Sequence, residues 1–384
     1  MPRIFLDNHS TTPVDPRVLE AMLPYFSEHF GNAASRSHEY GWDANNAVQA
    51  SRESIAALVG ATSSKEIVFT SGATESNNLA LKGVLESSDP ARNRVIVSAI
   101  EHKSVLDTAA HLHAKGFQVT TLPVNALGRV DPERLREALT DDTALVSVML
   151  ANNEIGTVQP IFEIASVVHE RGALLHVDAA QGLGSLDFNV EGMNVDLASL
   201  SAHKIYGPKG CGALYVRSKR PRVRLSPQIH GGGHELGLRS GTLNVPAIVG
   251  FARACELMQK EGAVERVRIA SLRDALETRL LRALPQIVVN GDPMNRLCGN
   301  CNVIFPNIES GTLIRNLGDV AVSSGSACSS ATPEPSYVLR ALGISTAMAR
   351  CSLRFGVGRF NTQAEIEVVA ERVVDEVERL GNLH

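Results

Sequence analysis

From about residue 50 to residue 250, short apolar, β-branched runs alternate with longer amphipathic stretches. The short runs are Ile67 to Thr70, Arg94 to Ser98, Val119 to Pro123, Ala144 to Leu150, Leu174 to Val177, Val195 to Leu200 and Gly212 to Val216. They are apolar without alternation, the pattern of strands covered on both faces. Helical spacing occupies stretches between them, such as Pro132 to Thr140 and Ile161 to Arg171. This succession predicts an α/β layer with a largely parallel sheet. Beyond residue 250 the texture changes. A long helical stretch from Val245 to Leu284 is followed by short strands near Gln286 to Val289, Asn302 to Phe305 and Ser352 to Phe355, then a closing helix from Thr362 to Leu380. That order predicts a compact α+β second unit. No internal repeat or low-complexity segment interrupts it.

The length of 384 residues, 44% of them hydrophobic, suits one large and one smaller domain. A net charge of −4, with both signs mixed along the chain, argues against a nucleic-acid surface. The modest basic patch from Arg217 to Arg224 reads as a solvated turn after a strand. The N-terminus has neither signal-peptide nor transit-peptide character, and no apolar run is long enough to span a bilayer. Six cysteines (211, 255, 298, 301, 328 and 351) are too sparse for a disulfide framework, which points to a reducing cytoplasm. Cys298-Gly299-Asn300-Cys301 has redox or metal spacing. It lacks a matching second pair and borders Val303-Ile304-Phe305, so chance spacing is the expectation.

The candidate chemistry collects at strand ends. Lys204 is one of only eight lysines and follows a predicted strand in Ser201-Ala202-His203-Lys204. A lysine held in a cleft there can act as a carbonyl nucleophile, although a surface loop is the usual place for one. Asp178 ends the strand Leu174 to Val177, where ligands of open α/β sheets bind. It suits a pyridinium partner for pyridoxal phosphate, or the cap of the next helix. The run Thr70-Ser71-Gly72-Ala73-Thr74 opens a helix after a strand and suits an anion. His102, past another strand, could stack on a planar cofactor and exchange protons. Arg354 sits among apolar strand neighbours and needs a buried anion, either a substrate carboxylate or a salt-bridge partner. Cys328 lies in Ser323-Ser324-Gly325-Ser326-Ala327-Cys328-Ser329-Ser330-Ala331, a small-residue loop of little packing value. A thiol there is accessible and open to redox chemistry.

Together these segments resemble the NifS/IscS-like cysteine desulfurases, almost end to end. The resemblance includes Leu6 to Pro13, Phe30 to Ser35, Thr70 to Asn77, Ala151 to Gly156, His176 to Gln181, Ser201 to Lys204, Arg239 to Thr242 and the Cys328 loop. It implies the aspartate-aminotransferase fold, fold type I of pyridoxal-phosphate enzymes. A large domain (15–255) with a mainly parallel seven-stranded sheet would pair with a small α+β domain (1–14 and 256–384) carrying the cysteine loop. It also implies a homodimer. Lys204 matches the cofactor-binding lysine, His102 the ring-stacking histidine, Asp178 the pyridinium partner and Gln181 the ligand of the phenolic oxygen. Gly72, Ala73, Thr74, Ser201 and His203 match the phosphate site, to which Thr242 reaches from the other subunit. Asn153 and Arg354, with Asn32, match groups that hold the substrate.

Cys328 matches the nucleophile that takes the sulfur of L-cysteine, in a loop of the longer type. The expected products are L-alanine and a Cys328 persulfide for a protein sulfur acceptor. A selenocysteine lyase, an aminotransferase and a catalytically silent partner are the rival readings. Asn8-His9-Ser10 and Ala33 depart from the housekeeping members, and the chain ends at His384 without their extra C-terminal tail. Iron–sulfur scaffolds, nitrogenase clusters, tRNA thiolation and DNA phosphorothioation therefore all stand as destinations for the sulfur.

Overall fold

A computed structural model describes residues 3–219, 223–324 and 335–381. The central sheet comprises β2 (Ile67–Thr70), β3 (Arg94–Ser98), β4 (Gln118–Leu122), β5 (Thr143–Ser147), β6 (Leu174–Asp178), β7 (Leu197–Ser201) and β8 (Gly212–Val216). Its spatial order is β2-β8-β7-β6-β5-β3-β4, and only β8 runs against the others. The largely parallel sheet expected from the pattern is present, with the seven strands that the resemblance implies. Strands β5, β7 and β8 are buried at every position, which is why they show no alternation of apolar and polar residues. The edge strand β4 is largely open to solvent and lies one residue earlier than the pattern suggests. Strand β5 ends at Ser147, although Val148 and Leu150 still donate backbone hydrogen bonds to His176 and Asp178.

Helices α3 (Glu39–Val59), α4 (Ala73–Ser87), α5 (Lys103–Ala114), α6 (Pro132–Ala138) and α7 (Ile161–Glu170) belong to this layer, after the short α1 (Pro16–Met22) and α2 (Pro24–Ser27). The 39-residue α8 (Val245–Ala283) is about 60 Å long. Its first half packs in the core of the central sheet through Ile248, Phe251 and Leu257. Its second half packs through Leu272, Leu276 and Leu280 in a separate core.

That second core lies on the antiparallel sheet β12-β10-β9, formed by β9 (Val288–Asn290), β10 (Asn300–Ile304) and β12 (Ser352–Gly356). Helices α9 (Ser310–Leu317) and α12 (Gln363–Gly381) contribute to it, and the short α10 (Tyr337–Ala341) and α11 (Thr346–Arg350) precede β12. The chain start belongs here too. Strand β1 (Ile4–Phe5) pairs in parallel with β11 (Val320–Ala321), and Leu6 is fully buried in this core. Cys301 is buried in the same core and Cys298 is half-buried at its edge; among the described residues no cluster of His, Cys, Asp and Glu could hold a metal ion. The expected solvated turn begins differently from its pattern: Arg217 is buried in an ion pair with Asp196 at 3.2 Å.

Candidate active site

A cavity of about 800 Å³ opens where the parallel strands end, the usual ligand position in such sheets. Segments after β2, β3, β5, β6 and β7 line it, together with His9 to Thr11, Tyr337 and Arg354 from outside the sheet. Of the residues singled out in the sequence, Gly72, Ala73, Thr74, His102, Asn153, Asp178, Gln181, Ser201, His203, Lys204 and Arg354 line this one space.

Each is held by local chemistry. Gly72 is the N-cap of α4 at φ 149°, a region open to glycine, and no side chain caps the helix. The first-turn N–H groups and the helix dipole are thereby left facing the cavity as an anion site. Lys204 follows β7 in a single 3₁₀ turn, and its Nζ donates to the carbonyls of His9 (2.5 Å) and Ser10 (2.8 Å). Asp178 ends β6 and accepts from Asn77 Nδ2 at 2.7 Å and from the Ala180 N–H at 3.0 Å. Gln181 is clamped by His9: its Nε2 donates to the His9 carbonyl at 2.8 Å, and its Oε1 lies 3.4 Å from the His9 ring. His203 pairs with Thr11 Oγ1 at 3.0 Å, and burial, with Lys204 and Lys209 nearby, lowers its pKa to about 4. It therefore presents a neutral ring.

Arg354 has the buried salt-bridge partner of one of its sequence readings. Its side chain is 1% exposed, NH2 donates to Asp7 at 2.6 Å and NH1 to the Asn153 carbonyl at 2.8 Å. Among the described residues its Nε is buried without a hydrogen-bond partner, a donor suited to an anion.

Asn32 and Thr242 do not line the cavity of this chain. Both are exposed, and Asn32 Oδ1 accepts from the Ala34 N–H within its own turn. Arg239, near Thr242, is tied to Glu75 of α4 at 2.8 Å. Cys328 lies outside the described residues. On either side of that gap, Ser323 pairs with the Arg354 backbone and Pro335 lines the cavity.

Three further residues matter that pattern reading did not single out. The His9 ring lines the cavity, and burial beside Arg354 and Lys204 lowers its pKa to about 3. Asn77 is wholly buried on α4; its signal was a polar residue leading into the apolar Leu79-Ala80-Leu81. Glu101 is wholly buried, accepts from Ser98 Oγ and the Met149 N–H, and is pushed up to about 8 by burial, with the charge of Asp178 adding to the shift.

Comparison with known proteins agrees with this geometry. The aminotransferase class-V family model matches residues 4–369. The chain is 57% identical over 380 residues to a cysteine desulfurase IscS of Anaeromyxobacter sp. (strain Fw109-5), covering 99% of this chain and 94% of the relative. It is 50% identical to the cysteine desulfurase IscS of Rickettsia typhi, covering 99% and 92%. A NifS-like protein of known structure superposes with TM-score 0.91 at 38% identity, over 98% and 99% of the two chains. SspA, solved in complex with cysteine, gives TM-score 0.81 at 39% identity, over 94% and 100%.

Proposed function

The chain belongs to the aminotransferase class-V family, and we propose that it is a pyridoxal-phosphate-dependent cysteine desulfurase, passing sulfur from L-cysteine to Cys328 and releasing L-alanine. One observation carries the reading: a lysine, a carboxylate, an imidazole, an arginine with a free buried N–H and an uncapped helix N-terminus converge on one cavity. This donor set fits the cofactor. The α4 terminus with Gly72, Ala73, Thr74, Ser201 and His203 suits its phosphate, Asp178 its ring nitrogen, Gln181 its phenolic oxygen and Lys204 its aldehyde carbon.

When bound, pyridoxal phosphate supplies an electron sink for a carbanion at the substrate Cα. Asp178 holds a proton on the ring nitrogen. Arg354 and Asn153 bind the α-carboxylate of L-cysteine. The Lys204 amine moves the Cα proton, with His102 placed to assist. The Cys328 thiolate attacks the substrate sulfur: an S–S bond forms, the Cβ–S bond breaks, and its electrons pass to the carbon framework, which is protonated to alanine. Cys328 is left as a persulfide for a thiol-bearing protein acceptor, in iron–sulfur assembly or another sulfur-transfer route.

The working form is a homodimer of the cytoplasm with composite sites. Leu23, Phe26, Phe30, Tyr40 and Trp42, in the stretch of chain flanking Asn32, are exposed apolar side chains of the kind a second copy covers. Among the described residues five cysteines are free thiols and no helix is long and apolar enough to cross a membrane. The test is alanine and persulfide formation from L-cysteine by the protein loaded with pyridoxal phosphate. Sulfide or selenide release that survives Cys328→Ala would instead mark a lyase that needs no cysteine nucleophile.

A further inference from the structure

Asn77 Nδ2 lies 2.7 Å from Asp178 Oδ2 and 2.8 Å from Ser104 Oγ. A carboxylate offers only acceptors, so the amide must present N–H to Asp178. Both amide hydrogens are therefore used. Among the described residues Asn77 Oδ1 is buried with no partner, so the side chain serves here through its donors at that cost. The chain of contacts continues beyond Ser104. Its Oγ is 2.8 Å from His102 Nδ1, and its backbone N–H donates to the same nitrogen at 3.1 Å as part of the α5 N-cap. A backbone donor requires a lone pair on Nδ1. The proton of a neutral His102 then sits on Nε2.

We propose that Asn77 is a positioning residue that sets two groups of the site at once: it anchors the Asp178 carboxylate and, through Ser104, holds His102 in the Nε2–H tautomer. His102 then presents its Nε2–H to the site as a hydrogen-bond donor, while Ser104 occupies the Nδ1 lone pair. The inference rests on the desulfurase reading above. It adds a residue that touches neither cofactor nor substrate, one turn along the helix whose N-terminus suits the phosphate.

The experiment uses full-length protein loaded with pyridoxal phosphate. Asn77→Asp keeps the side-chain shape and removes the amide donors, and Ser104→Ala cuts the side-chain link between Asn77 and His102 while the backbone N–H to Nδ1 remains. With Asn77→Asp, borohydride still labels Lys204. The pH midpoint of the cofactor's visible band rises by about one unit or more, because a less well compensated negative charge beside the ring nitrogen favours the protonated cofactor. Its kcat falls at least tenfold, with the KM for cysteine within threefold. Ser104→Ala leaves the cofactor band in place and shifts the pH profile of kcat. If Asn77→Asp does not fold, Asn77→Ser, which keeps one donor, is read by the same band shift. Folded variants with wild-type band midpoints and wild-type pH profiles overturn the role of Asn77. A wild type that takes up no pyridoxyl label overturns the desulfurase reading itself, so the two failures are distinguishable.

Discussion

Replacing Arg354 by lysine separates substrate binding from structural charge pairing. The wild-type guanidinium spends NH2 on Asp7 at 2.6 Å and NH1 on the Asn153 carbonyl at 2.8 Å, and keeps Nε for an incoming anion. Lysine preserves the charge but offers one nitrogen in place of three in a planar fork. It can stay with Asp7, but must give up at least one charge-assisted hydrogen bond, worth about 1.5–3 kcal/mol. At about 1.4 kcal/mol per decade, the KM for L-cysteine should rise roughly tenfold to a hundredfold. The kcat should change much less, because carboxylate binding is present in ground and transition states alike. Arg354→Ala should behave differently: it leaves Asp7, 16% exposed, without its buried partner, and should cost about 3 kcal/mol of stability. The assay is steady-state alanine formation against cysteine concentration at saturating pyridoxal phosphate, with urea unfolding of each variant. A lysine variant with KM within twofold of wild type would show that Arg354 serves only its ion pair.

Borohydride reduction of the loaded protein should place the pyridoxyl group on Lys204; label on Lys103 or Lys209, which also line the cavity, would refute the assignment. Of six single cysteine-to-serine variants, only Cys328→Ser should lose alanine production. Burial raises the pKa of Cys211 and Cys301 to about 12 and also raises those of Cys255, Cys298 and Cys351, so these thiols stay protonated near neutrality. Glu101 gives a pH signature: its folded pKa, raised from 4.5 to about 8, makes folding bind a proton between those values. Stability is therefore lost as pH rises through that window, and Glu101→Gln should gain on wild type from pH 5 to 8 in thermal melts; a constant difference would contradict the protonated carboxyl. Sedimentation should show two chains per particle, and Thr242→Ala should weaken pyridoxal-phosphate binding; a fully active monomer would rule out the composite site.

The sequence by itself determined the local elements and the chemical groups at their ends. Runs without alternation such as Leu174 to Val177, apolar but for His176, predict buried parallel strands because both faces of β6 are covered, and a run without a period records that burial directly. Residues placed just past those runs, such as Asp178 and Lys204, come together because parallel strands deliver their carboxyl ends to the same edge. Helix α3 was less legible: its buried Ala44, Val48, Ile55 and Val59 are spread among many polar positions, and packing against α8 supplies what the pattern does not. The tertiary structure alone decided the pairings between distant segments. Asp7 meets Arg354 across 347 positions, the carbonyls of His9 and Ser10 receive Lys204, β1 joins β11, and Asn77 reaches Asp178 across 101. Such contacts leave no periodic trace in a chain, because they depend on which surfaces meet once every element has buried its apolar face.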